Sequence, residues 1–275
     1  MTTVFVCEDS LDGILTGVYE AWDSRLGHGN VKLQTEGMDT MELFCEYQTV
    51  RTDLEKAEKV LRTVKRRMGE KAREAVCYAS ACPDSGKADA IYRLIVLGLS
   101  LPDGRQAVNR LQDPAVLLVE KLRYKAWHEA ERMLGFLRFE ELAGGVLYAR
   151  MNPPYAILPL IAPHFADRLL QENWIIQDTG RSQAAVHRAG GSWFLTDADL
   201  PDLRKIAGYA ETEKEFQTLW RAFCKSIAIE ERRNPRCQQT LLPLRFRPDM
   251  TEFQPDSGQP GAFWQDSRFD SLRKS

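Results

Sequence analysis

GFLRFEELAGGVLYARM, residues 135–151, is where the hydrophobic period of this 275-residue chain changes. Upstream, apolar residues recur every three or four positions. Here they alternate on either side of Ala143-Gly144-Gly145, which reads as a hairpin with a glycine turn. The stretch that follows is mixed. ILPLIAPHFADRLL (157–170) has helical spacing, whereas WIIQDT (174–179), QAAVHR (183–188) and SWFLT (192–196) have strand spacing, with GRS and AGG as turns. A small antiparallel sheet with a crossing helix is expected, and Pro163 is expected at the first position of that helix.

Working backward from the hairpin, DPAVLLVEKLRYKAWHEAERML (113–134) reads as a helix of about five turns, with Asp113 as N-cap and Pro114 in the first turn. ADAIYRLIVLGLSL (88–101) is apolar almost all round, as a buried helix would be. In 52–75, Ala57, Val60, Leu61, Val64 and Met68 make one apolar stripe. TVFVC (3–7) reads as a buried strand, and Leu11, Ile14, Leu15, Val18, Tyr19 and Trp22 follow at helical spacing. Working forward, TEKEFQTLWRAFCKSIAIEERR (212–233) predicts a helix that Asn234-Pro235 breaks. The fold class is therefore α+β. Residues 1–134 are expected to be mainly helical, 135–247 to hold the sheet, a C-terminal helix and a basic segment, and 248–275 to be a flexible tail.

Composition limits the function. Net charge is −2, so the chain as a whole is not a basic coating protein. The charge is uneven, however. Residues 1–50 carry nine acidic and two basic side chains, whereas 221–247 carry seven basic and two acidic. The six cysteines are dispersed without a CxxC pair, which argues against a zinc or iron–sulfur site and predicts reduced thiols. A start without a signal-like segment and the lack of an apolar run of roughly 18 residues predict a cytoplasmic protein outside the membrane. GxxxxGK[ST], GxGxxG, HExxH and GxSxG are all absent, so no metal or cofactor is expected.

Three constellations could carry chemistry. His164, Asp167 and Arg168 fall at i, i+3 and i+4 of one helix. They read either as an acid–base set (His164 and Asp167) with an anion clamp (Arg168), or as a solvated helix edge. Arg138 lies between Phe136 and Phe139, a pattern that suits base stacking and phosphate pairing or, equally, a sheet edge over core phenylalanines. The basic end holds Arg221, Lys225, Arg232, Arg233, Arg236, Arg245 and Arg247, with Asn234 at the helix break. Guanidinium groups suit bidentate phosphate contacts, although an acidic protein surface would also fit.

Three blocks then occur together in order: DSLDGILTGVYEAW (9–22), RMLGFLRFEEL (132–142) with ILPLIAPHFADRL (157–169), and LWRAFCKSIAIEERRNPRCQQTLLPLRF (219–246). Together they resemble a bacterial family of DNA metabolism or repair proteins. Members of that family occur beside a DNA-repair radical-SAM protein, and in some proteins the domain is fused to a uracil-DNA-glycosylase-like domain. The resemblance runs from about residue 3 to 247 and includes Asp12, Gly13, Thr16, Glu20, Phe136, Arg138, Phe139, Pro163 to Arg168, Lys225, Ser226, Arg232, Asn234 and Pro235. It departs at Glu131, where family members usually carry His. CxxxCxxC is absent, so a radical-SAM cluster would belong to the partner.

The resemblance implies a DNA repair setting with DNA and a radical-SAM protein as partners. The expected function is a DNA-binding accessory that uses Arg138, Arg168, Lys225, Arg232, Arg233, Asn234, Arg236, Arg245 and Arg247. The alternatives are a DNA-processing enzyme with His164 and Asp167 as acid–base pair, and an adaptor for the radical-SAM partner.

Overall fold

The structure, a computed structural model, describes residues 1–37, 43–197 and 200–254, with Glu230 described by its backbone alone. The chain divides into two units. One is Met1–Glu131 with Pro154–Leu160, and the other is Arg132–Pro153 with Ile161 onward. The α+β class holds.

The first unit begins with β1 (Thr2–Cys7), α1 (Leu11–Asp23), β2 (Val31–Thr35) and β3 (Cys45–Thr49). These strands form a parallel sheet in the order β2-β1-β3. The expected mainly helical N-terminal region thus contains a sheet that periodicity showed only through β1. The reason lies in β3, where Glu46, Gln48 and Thr49 are exposed, so its sequence CEYQT carries no apolar alternation. The turn from β1 into α1 requires glycine, because a Cβ on Gly13 would stand 2.5 Å from the Glu8 carbonyl oxygen. Ser10 caps α1 by accepting from the Gly13 N–H at 3.0 Å.

Four helices complete this unit: α2 (Leu54–Met68), α3 (Glu70–Ser80), α4 (Lys87–Ser100) and α5 (Pro114–Phe136), the last running on into the second unit. The Thr16 hydroxyl joins α1 to the start of α2, lying 2.7 Å from the Asp12 carbonyl and accepting from the Asp53 N–H at 3.1 Å. Asp53 in turn caps α2, and Lys56 pairs with Glu20. Helix α4 is buried as its composition requires, and its first residue, Lys87, is 3% exposed. The Lys87 ammonium donates to the carbonyls of Ser80 (2.7 Å) and Cys82 (2.6 Å) and pairs with Asp9, which meets the desolvation cost of a buried charge. Asp113 caps α5 as expected, accepting from Ala115 N–H at 2.8 Å.

In the second unit the hairpin is shorter than its sequence suggests. Helix α5 continues to Phe136, with Leu137 N–H still bonded to the Met133 carbonyl at 2.9 Å. The strand β4 is therefore only Glu140–Leu142, paired with β5 (Val146–Met151) across Gly144 (φ +100) and Gly145 (φ +75). Phe136 and Arg138 consequently do not share a strand face. Next come α6 (Leu158–Arg168), β6 (Asn173–Asp178), β7 (Gln183–His187) and β8 (Trp193–Asp197), in a sheet of order β4-β5-β6-β7-β8. This sheet is mixed rather than antiparallel, since α6 links β5 to β6 and a helical crossover makes that pair parallel. Pro163 sits inside α6 and not at its start, because Leu158 and Pro159 already occupy the first turn.

Three further helices follow: α7 (Leu203–Ala207), α8 (Glu213–Ser226) and α9 (Pro235–Leu241). Asn234-Pro235 begins α9, whereas α8 has already ended at Ser226. Within the expected flexible tail, Met250 and Thr251 are buried, at the start of a short 3-10 turn (Thr251–Phe253). Residues 255–275 of that tail lie outside the described residues.

Candidate nucleic-acid interface

Helix α8 packs with its polar side inward. The buried Glu213 carboxylate accepts from the Glu141 N–H at 2.9 Å and from Gln217 at 2.8 Å, and the Trp220 indole donates to Glu252 at 3.1 Å. Phe216, Leu219, Phe223 and the C-cap Ile227 are left exposed, with relative exposures of 61%, 64%, 52% and 60%. Positions 216, 219, 223 and 227 follow helical spacing, so these large apolar side chains line one solvent-facing side of α8. Ile227 also lines a groove of about 450 Å³ that runs along Ile229, Leu241 and Leu242, with Arg232 and Arg233 in its wall.

The cations of the basic end separate into two groups. Arg138 is engaged: its guanidinium pairs with Glu252 at 2.8 Å, donates to the Gly135 carbonyl and lies 5.5 Å over the Trp220 ring. Arg247 lies 4.9 Å over the Phe253 ring, and burial lowers the pKa of its guanidinium. Arg245 stands 4.8 Å over Phe246. Arg150 and Arg204, which no motif singled out, are neutralised by Asp202, and Arg204 also meets Glu140.

By contrast, the guanidinium groups of Arg168, Arg232, Arg233 and Arg236 are exposed and make no ion pair or hydrogen bond with any described residue. Lys225 is exposed at the end of α8. Asn234 is the N-cap of α9, its side-chain oxygen accepting from Cys237 N–H at 3.0 Å, so one of its two polar ends is already used.

A second cleft, of about 330 Å³, brings together Arg138, His164 and Arg168 over Leu137, Phe139 and Phe165. Phe139 and Phe165 meet edge to face at 5.3 Å. His164 and Asp167 are exposed on α6, and no hydrogen bond or ion pair joins them to each other or to another described residue. The His164 ring touches only the edge of its neighbour Phe165 among the described rings. The helical spacing holds, but an oriented dyad, in which a carboxylate fixes the imidazole tautomer, is not formed.

Among the described residues no group of histidine, cysteine and carboxylate side chains is arranged to hold a metal. The thiols of Cys7 and Cys82 are pushed up to about 12 and about 11, both chiefly by burial, which makes them poor nucleophiles. No described helix is long and apolar enough to cross a membrane. The apolar stripe of α8 was invisible to sequence reading, since 216, 219, 220 and 223 share the spacing of a buried face.

No curated protein matches the chain. One solved structure, described as a DHH-domain member of the s1p family of ribosomal proteins, is similar at 11% identity and a TM-score of 0.32 over 68% of this chain and 74% of that one. Residues 85–252, more than half of the chain and including the second and third sequence blocks, match the family model for a domain of unknown function, DUF4130. The chain belongs to the DUF4130 family.

Proposed function

We propose that the protein is a DNA-binding accessory in DNA repair that acts beside a radical-SAM protein. The observation that carries this reading is the set of exposed guanidinium groups at Arg168, Arg232, Arg233 and Arg236 that pair with no described residue. Arg138, Arg150, Arg181 and Arg204 of the same unit are paired with carboxylates, whereas these four cations of a protein with net charge −2 are not. A polyanion supplies the missing countercharge, and guanidinium groups bind phosphate in bidentate fashion. The setting comes from the resemblance of the three sequence blocks to DNA metabolism proteins encoded beside a radical-SAM protein. The absence of an oriented His164–Asp167 pair favours binding over chemistry by this chain alone.

The test is fluorescence anisotropy of labelled DNA against the purified full chain across a salt series. Affinity should fall steeply as salt rises, with a slope set by the number of phosphates neutralised. No binding at low salt by a folded protein would overturn the reading.

A further inference from the structure

The cations do not stand alone. The groove that holds Arg232 and Arg233 has a floor of Ile227, Ile229, Leu241 and Leu242, and Ile227 continues into the exposed α8 stripe of Phe216, Leu219 and Phe223. The backbone of duplex DNA presents phosphate and sugar with the bases stacked inside, so an apolar surface of this size has nothing to cover. A single strand differs, because its unstacked bases have apolar faces that rest on aromatic and aliphatic side chains while cations track the phosphates.

Two other occupants fit less well. A second copy docking through this same face would bring Arg232, Arg233 and Arg236 to both sides of a symmetric contact. The chain's own residues 255–275 carry three acidic and three basic side chains and so bring no net countercharge. Resting on the DNA reading above, we infer that the α8 stripe and the adjoining groove are a binding surface for single-stranded DNA. Phe216 and Phe223 are the stacking platforms, and Arg232 and Arg233 hold phosphates beside them.

The experiment compares labelled oligothymidine with a labelled duplex at one low salt concentration, using the full chain and the variant Phe216→Ala/Phe223→Ala. Both phenylalanines are more than half exposed, so the variant should keep the circular dichroism spectrum and melting temperature of the parent. The single strand should bind at least about tenfold tighter than the duplex, and the variant should lose about tenfold on the single strand alone. Equal or tighter duplex binding, or an unchanged single-strand affinity in the variant, would overturn the inference while leaving DNA binding intact. Binding to neither DNA would remove the DNA reading together with this one and assign the surface to a protein partner.

Discussion

Lys87 and Arg232 are both cations of an acidic protein, and the chain treats them in opposite ways. In the first unit Lys87 is buried, donates to two carbonyls and pairs with Asp9. Three further residues there have equally full occupations: Gly13 permits the β1–α1 turn, Thr16 ties α1 to the start of α2, and Glu20 pairs with Lys56. In the C-terminal stretch of the second unit the pattern reverses. Arg232, Arg233 and Arg236 are exposed with no described partner, and the helix before them turns its apolar side to water. Where every polar group is satisfied internally, the residues serve the fold. Where charge and apolar surface are both left over, the proposed DNA surface lies.

The largest effect that would sharpen this contrast is Lys87→Ala. Removing it strands two buried carbonyls and should cost about 3 kcal/mol, read as a fall in the denaturant midpoint. A loss within about 0.5 kcal/mol, the range of an ordinary surface change, would break the assignment of Lys87 to the fold. Gly13→Ala comes next, since its Cβ must displace the Glu8 backbone, and about 1–3 kcal/mol should be lost. Arg138→Ala should follow at about 1–2 kcal/mol. It leaves the largely buried Glu252 carboxylate to the Trp220 indole alone, so stability should fall even without DNA.

A smaller effect concerns pH. Burial raises the pKa of the carboxyls of Asp178, Glu140 and Asp249 above the ordinary carboxylate value. The folded state holds these protons more tightly than the unfolded chain, so stability grows as pH falls from neutrality through the raised values. Asp202 acts in the other direction: the hydrogen bond from Arg204 holds its carboxyl low, and its contribution is lost as pH falls through that lowered value. Melting temperature should therefore pass through a maximum on the acid side of neutrality, and Asp178→Asn should flatten the rise. A steady decline from neutrality in the parent would contradict this balance.

Much of this was legible in the sequence, for reasons that are local. Asp113 before Pro114 and the glycine pair at 144–145 act through contacts within a few residues, and both are found where their chemistry places them. Non-local features were not legible. The parallel pairing of β5 with β6 depends on what α6 connects, and β3 joins its sheet without apolar alternation. The ion pair of Arg138 was hidden because its partner Glu252 lies 114 residues away. The stripe on α8 has the spacing of a core face, and only the inward position of Glu213 shows that the helix is turned round.

The central claim, that the arginines at 232, 233 and 236 are idle in the fold and act on a polyanion, is tested most directly in one triple variant, Arg232→Ala/Arg233→Ala/Arg236→Ala. Its thermal stability and the salt dependence of its DNA affinity should be measured side by side with the parent. The account predicts stability within about 0.5 kcal/mol of the parent and a log–log salt slope shallower by about 2. A destabilised variant with an unchanged slope would contradict it.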